Sequence, residues 1–478
     1  MTRRVPPPHA GGGLHHAGAA SDQCREPALT GLAERVEPGQ PFWKVAFKIF
    51  LVLVFLYFFL GGMAMMSSGL KALGKNPEYN AWKTKKDALR KARETREAAA
   101  GGAPAAGAAR EEGGTDAEEQ RLGPAPPEYR PVVYGVFEYA DHPLVGLFLG
   151  VLATSVFQSS SFTTSFAVSL VVTTPLTLYQ AIPIIMGANI GTSVTNAGVS
   201  FTHIRRRDEF ERAYGAAIVH DFFNVLTVMV LFPTELIVRH ATGKGLLERL
   251  STMMAEGFYT GTPVGQKPTN FIETAVSPVT EGMRALLEDG LWLSHDVANI
   301  VLAVLGVVFL FAALILLTKM LRSLVLKRIE RFFDRVLFRN AVIAFVVGLV
   351  LTSIVQSSSV TTSLLVPLTG AGLLTIYQVF PYTLGANIGT TVTALIASLA
   401  AGGDTAVEAR TGVALAFSHM LFNIIGTTIW YPLRFVPIET ARWYARHAAR
   451  AKRWAFLYVG IVFFVLPACV LGVYWLLK

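Results

Sequence analysis

The chain has 478 residues, 52% of them hydrophobic and only 16% charged, with a mean hydropathy of +0.45. Soluble domains carry about 25% charged residues, so this composition excludes an ordinary soluble protein and points to an integral membrane one. A net charge of +9 would raise nucleic acid as a partner for a soluble chain, but here the basic residues flank apolar runs, the pattern of membrane topology, and no nucleic-acid role is expected.

Residues 1–40 are rich in Gly, Ala, Pro and His without periodicity and read as a disordered tail. Residues 41–75 hold the first span, an uncharged run from Ile49 to Leu70 that serves as the insertion signal, because no apolar signal-peptide core precedes it. A hydrophilic insert follows at 76–139: helix formers of mixed charge from Ala81 to Ala100, then an Ala/Gly/Pro-rich linker with an acidic run. Cys24 lies in the polar tail and Cys469 in an apolar run, so neither a disulfide framework nor a Cys/His metal site is expected.

From His142 to Ile204 there is no Asp, Glu, Lys or Arg, and the same holds from Asn340 to Gly403. Within these stretches Gln158-Ser159-Ser160-Ser161-Phe162-Thr163-Thr164-Ser165 recurs as Gln356-Ser357-Ser358-Ser359-Val360-Thr361-Thr362-Ser363, 198 residues on. Gly187-Ala188-Asn189-Ile190-Gly191-Thr192 recurs at the same offset as Gly385-Ala386-Asn387-Ile388-Gly389-Thr390, and more than half of the positions from Gly150 to Thr195 are identical. The chain is internally duplicated. Each serine block sits mid-way along an apolar run whose flanks are too short to span, so each is expected at the tip of a re-entrant hairpin of two half-helices. A helix broken at Gly187–Thr192, or at Gly385–Thr390, and a full span should complete repeats 140–238 and 341–434. Helix packing through small residues is the competing account of the serines, but it does not require Gln beside three hydroxyls twice.

An extracellular loop at 239–297 is expected between the repeats, then a connecting span and basic segment at 298–340. A basic cytoplasmic loop and the last span occupy 435–478. The loop after the first broken helix has Arg205, Arg206, Arg207 and Arg212, whereas its counterpart has Arg410 alone, so the two lie on opposite sides and the repeats are inverted. This places the amino terminus in the cytoplasm, with only the basic segment 71–96 running against it. The expected fold is an all-α integral membrane protein of two inverted repeats plus additional single spans.

Duplicated halves with interrupted apolar segments at matching positions point to a transport site near the bilayer midplane. Half-helix N-termini suit an oxyanion, and hydroxyl and carbonyl oxygens suit Na+. A lining with no fixed cation binds an anion weakly alone, so co-bound cations supply the missing charge. Asp221 is the acid read within a span, in His220-Asp221-Phe222-Phe223-Asn224; it either holds a cation or pairs with His220 or Arg212. The second repeat keeps His419 and Asn423 but has Met420 in place of the acid.

The paired Gln-Ser-Ser-Ser blocks, the segment Ile182 to Asn196 and Val219-His220-Asp221 resemble the type II sodium/phosphate cotransporter family over about residues 41–75 and 140–475. The resemblance implies a symporter of the plasma (inner) membrane that takes up inorganic phosphate with Na+. It also implies an elevator-like inverted-repeat fold. Phosphate and Na+ would be held by Gln158, Ser159, Ser160, Ser161, Thr164, Asn189, Thr192 and Ser193, and by Gln356, Ser357, Ser358, Ser359, Thr362, Asn387, Thr390 and Thr391. A further Na+ would sit at Asp221, as in electrogenic members. No cofactor beyond the co-transported Na+ and no catalysis are implied. A symporter of sulfate, arsenate or a dicarboxylate is the alternative, and a passive channel or membrane enzyme the readings from other classes. The chain departs from the family in the insert at 76–139, in lacking the external disulfide cysteines and in stopping one span early; its Ala/Arg-rich composition points to a bacterial member.

Overall fold

The computed structural model describes residues 42–74, 82, 85, 142–259, 271–332, 340–403 and 405–477. The expected tail at 1–40, nearly all of the insert at 76–139 and residues 333–339 lie outside these. The chain divides into two units, the first ending at Ile49 and the second, from Phe50 onward, carrying both serine blocks. Every regular element among the described residues is helical, and six helices are long and apolar enough to cross a membrane. The protein is therefore an all-α membrane protein.

Helix α1 covers Phe42–Gly74. The first repeat comprises α2 (Pro143–Phe157), α3 (Ser160–Thr173), α4 (Leu178–Gly191), α5 (Val194–Ser200) and α6 (Arg207–Thr242). Then come α7 (Leu246–Phe258), α8 (Phe271–Ala285) and α9 (His295–Phe332). The second repeat has α10 (Ala341–Val355), α11 (Ser358–Ser363), α12 (Leu365–Gly370), α13 (Ile376–Ala401) and α14 (Ala406–Trp430). The chain closes with α15 (Phe435–Arg450), α16 (Arg453–Gly460), a π-type turn and α17 (Leu466–Leu477).

Local chemistry sets the same boundaries twice. Thr177 and Gln180 form a reciprocal capping box at the start of α4, the Gln180 amide oxygen accepting from the Thr177 N–H at 2.8 Å. Thr375 and Gln378 repeat it at α13, at 2.9 Å. Helix α2 ends on Gln158 at φ 55° and α10 on Gln356 at φ 61°, both left-handed. Ser159 and Ser357 then turn extended and cap the following helices, each hydroxyl accepting the N–H three residues on.

Helices α2 and α4 run parallel: contacts of Gly146 with Gln180, Gly150 with Ile184 and Gly191 with Thr154 advance together along both chains. Backbone meets backbone there, so a Cβ on Gly150 would land on the Ile184 carbonyl and one on Gly187 on that of Leu147. The second repeat matches it, Gly348 meeting the Tyr382 carbonyl and Gly385 that of Phe345, between α10 and α13. The repeats also exchange partners: α15 packs on α6 and α7 on α14, while α3 packs on α14 and α12 on α6.

Three expectations are corrected. The segment 239–297 is not a plain loop; α6 continues to Thr242, and α7 and α8 follow. Glu235, 3% exposed within α6, accepts the Leu247 N–H at 2.7 Å and the Glu248 N–H at 3.1 Å, closing the start of α7. The stretch 435–450, expected as basic loop, is likewise a helix, because Ile438, Ala441, Ala445 and Ala448 give it one buried face. The second repeat does not break its helix: α4 stops at Gly191 and α5 begins at Val194, but α13 runs unbroken through Gly385–Thr390. Its interruption falls in the hairpin instead, at Leu364 between α11 and α12, where Pro367 has no N–H to offer the Ser363 carbonyl.

Candidate functional site

The two Gln-Ser-Ser-Ser blocks meet. The Ser161 hydroxyl donates to the Gln356 carbonyl at 2.9 Å, the Ser359 hydroxyl to the Thr192 carbonyl at 3.3 Å, and the Asn196 amide to the Thr362 hydroxyl at 2.9 Å. Each contact joins one repeat to the other. The two glutamines are held identically: Nε2 of Gln158 donates to the Ser155 carbonyl and that of Gln356 to the Ser353 carbonyl. Their Oε1 atoms accept from Thr195 at 2.8 Å and Thr393 at 2.6 Å. Each glutamine thus fastens its left-handed tip to a later helix of its own repeat, α5 or α13.

The hydroxyls divide by what their protons do. Thr164 donates to the Ser161 carbonyl, Thr192 to Ala188, Thr362 to Ser358, Thr390 to Ala386 and Thr391 to Ile388, at 2.7 to 3.2 Å. With Ser161 and Ser359 these present only lone pairs to a ligand. The hydroxyls of Ser159, Ser160, Ser357 and Ser358 have no such acceptor among the described residues. The first N–H groups of α3 and α11 point out of their helices beside them.

Below the tips lies an uncharged, fully buried network that the sequence did not reveal. His220 of α6 bonds through Nε2 to the Asn387 Oδ1 of α13, and His419 of α14 bonds through Nε2 to the Asn189 Oδ1 of α4 at 3.2 Å. Each repeat's histidine therefore holds the other repeat's asparagine. Both Oδ1 atoms can only accept, so an Nε2 proton on each imidazole suits these two bonds, while Asn224 Nδ2 also lies 3.3 Å from the His220 Nε2. Asn224 donates to the Asn189 carbonyl at 2.8 Å and accepts from Asn387 at 3.2 Å, while Asn423 donates to Asn189 Oδ1 at 3.4 Å. Ser193 shares a 3.0 Å bond with the free Nδ1 of His220. The signal available in the sequence was the i, i+4 spacing of His220 and Asn224, repeated in His419 and Asn423, which puts each pair on one helix face.

Asp221 stands apart from the serine blocks and from both partners considered for it. Arg212 donates to the Gly370 carbonyl at 2.8 and 3.1 Å, and His220 is engaged by Asn387 and Ser193. Asp221 is wholly buried, and neither carboxylate oxygen makes a hydrogen bond of ordinary geometry. Its polar neighbours are the hydroxyls of Tyr458 and Tyr214, from α16 and from two turns earlier in α6. Tyr444 of α15 completes this group, its ring centroid 5.0 Å from that of Tyr458 and 6.4 Å from that of Tyr214. The structure thus joins the two serine blocks and the two asparagines through contacts between the repeats, and sets Asp221 apart from them, beside tyrosines. No group of three or more His, Cys, Asp or Glu side chains able to hold a metal occurs among the described residues.

The family model described as Na+/Pi-cotransporter matches residues 135–231 and 308–467, more than half of the chain. Sodium-dependent phosphate transport protein 2B of Homo sapiens is 32% identical over 417 aligned residues, covering 70% of this chain and 59% of the relative. Sodium-dependent phosphate transport protein 2A of Rattus norvegicus is 34% identical over 392 residues, covering 70% of this chain and 61% of the relative. The chain thus spans about three fifths of the length of these relatives. No solved structure gives a significant match. Both serine-bearing hairpins, most of α6 and all of α14 fall inside the matched segments, and the chain belongs to the Na+/Pi-cotransporter family.

Proposed function

We propose that the protein is a sodium-coupled symporter of the plasma (inner) membrane that carries inorganic phosphate into the cell, with its amino terminus in the cytoplasm. The observation that carries this reading is the meeting of the two serine-bearing tips through Ser161, Ser359 and Asn196, in a chain of this family. Hydroxyls that have given their proton to a carbonyl offer lone pairs to Na+: Ser161, Thr164, Thr192, Ser359, Thr362, Thr390 and Thr391. Those with a proton left, Ser159, Ser160, Ser357 and Ser358, donate to phosphate together with the helix N–H groups. Gln158 and Gln356 hold the tips and keep one amide proton each for the anion. Asn189, Ser193 and Asn387 fix the helices beneath.

Uptake of radiolabelled phosphate into proteoliposomes tests the reading. An inward Na+ gradient should raise accumulation well above that with K+ in its place, and excess unlabelled sulfate should compete poorly. Phosphate uptake indifferent to Na+, or sulfate competing as well as phosphate, would reject it.

The architecture proposed with it is two inverted repeats, each entered by a re-entrant hairpin. Two observations support it: α2 runs parallel to α4, as it must if the chain returns along α3 to the face it left, and α10 is parallel to α13. The symmetric exchange of α7 and α15 between repeats supports it also. Cysteines placed at exposed Arg206 and Val407, in a background without Cys24 and Cys469, should then react with an impermeant thiol reagent from opposite sides of the membrane. Reaction from the same side would overturn the inversion.

A further inference from the structure

Helix α15 joins two membrane spans, α14 and the pair α16–α17, so it lies at one face of the bilayer. Its sixteen residues make about 24 Å of helix. The buried face of Ile438, Ala441, Ala445 and Ala448 rests on α6, where the Cβ of Ala445 faces Gly215. Its other face exposes Arg442, Trp443, Arg446 and Arg450, and the turn into α16 adds exposed Lys452, Arg453 and Trp454.

From 434 to 453 there are six basic residues against one acid, Glu439. That acid is already engaged. It accepts from the Tyr377 hydroxyl at 2.7 Å and from Arg442 at 2.6 Å, and the tyrosine, then the guanidinium, hold its carboxyl below the ordinary value. Glu439 therefore neutralises Arg442 and leaves Arg450, Lys452 and Arg453 with no carboxylate in contact among the described residues. Packing does not require this charge: α7 makes the corresponding contact with α14 and carries Glu248, Arg249 and Glu256 instead. Two half-exposed tryptophans, Trp443 and Trp454, stand among the cations, the arrangement of a helix seated at headgroup depth.

We infer that the outer face of α15 and the turn after it bind the phosphate headgroups of an anionic phospholipid leaflet, with Trp443 and Trp454 seated between the lipids. The cations are spaced for separate headgroups, not gathered around one anion, since Arg446 and Arg450 are one turn apart and Arg453 lies beyond the helix end. This holds whichever ion the protein carries.

The test is native mass spectrometry of the full-length protein in neutral detergent with equal amounts of phosphatidylglycerol and phosphatidylcholine. The wild type should retain phosphatidylglycerol selectively. Each basic residue near a charged surface is worth about 1 kcal/mol, so R450Q should weaken the preference about fivefold and R446Q/R450Q/K452Q/R453Q more than tenfold. K244Q/R249Q, on and beside α7, should leave it unchanged. The single variant keeps the test decisive if the quadruple one fails to insert. Wild-type preference in R450Q and the quadruple variant, an equal loss in the α7 variant, or displacement of the lipid by millimolar inorganic phosphate would each overturn the inference.

Discussion

Gln356→Ala, like Gln158→Ala, is expected to remove Na+-dependent phosphate uptake while leaving the protein inserted. Alanine keeps the left-handed backbone, which costs a residue with a Cβ about 1 to 2 kcal/mol, but loses both bonds that hold the tip in that shape. Each bond contributes about 1 kcal/mol, too little to unfold the protein. The effect on transport is larger than on stability, because the Gln356 carbonyl is also the acceptor of Ser161 in the other repeat. A tip released from Thr393 shifts that carbonyl and with it the site shared by both blocks. At about 1.4 kcal/mol per factor of ten, losing two bonds and the cross-repeat one lowers uptake at least tenfold. Gln356→Gly separates the causes: it relieves the backbone strain without restoring the bonds, and should be as inactive as Gln356→Ala. Recovery in the glycine variant would make backbone strain the whole effect, and normal uptake in all three variants at matched surface levels would remove the glutamines from the site.

Asp221→Gly is expected to leave Na+-dependent uptake measurable but abolish its response to an imposed K+-diffusion potential. A buried carboxylate with no ordinary hydrogen bond is costly as a bare anion, and the role proposed for it in the transport cycle is to take a cation. Membrane potential is worth about 2.3 kcal/mol per charge per 100 mV, a more than tenfold change in the attainable phosphate gradient. The neighbouring tyrosines sharpen the expectation. If Asp221 takes Na+, Tyr458→Phe removes a neutral oxygen beside it and keeps the charge, so it should weaken apparent Na+ affinity while preserving voltage dependence. Full voltage dependence in Asp221→Gly would mean that the charge is carried elsewhere, and Asp221 would then be a structural partner of Tyr458 and Tyr214.

The duplication, the spans and the serine tips were legible because they are written in residue identity and in the absence of charge over long stretches. What the tips touch was not, because Ser161 and Gln356 meet only through the packing of both repeats. The broken helix was half legible. Gly-Ala-Asn-Ile-Gly-Thr is identical in both copies, yet α4 ends there and α13 continues. The next residue differs: the Ser193 hydroxyl bonds to His220, whereas Thr391 bonds back to the Ile388 carbonyl within its own helix. Helix α7 was missed because its buried face, Leu247, Ser251 and Ala255, is too small to stand out in a charged stretch. Glu235 lies inside α6, which runs on to Thr242 past the expected end of the first repeat at 238.

The glycines between α2 and α4, and between α10 and α13, bear on how the protein moves. Packed helices slide past one another by letting the side chains between them change rotamer. At Gly150 and Gly187, and again at Gly348 and Gly385, that layer is missing and backbone lies on backbone. With backbone seated on backbone at these points, each pair is expected to resist shear and to behave as a stiff lever whose two arms travel together. Displacement during turnover is then expected at the contacts between the repeats, α3 against α14 and α12 against α6, so that each hairpin tip is carried with its own helix while it slides against the other repeat.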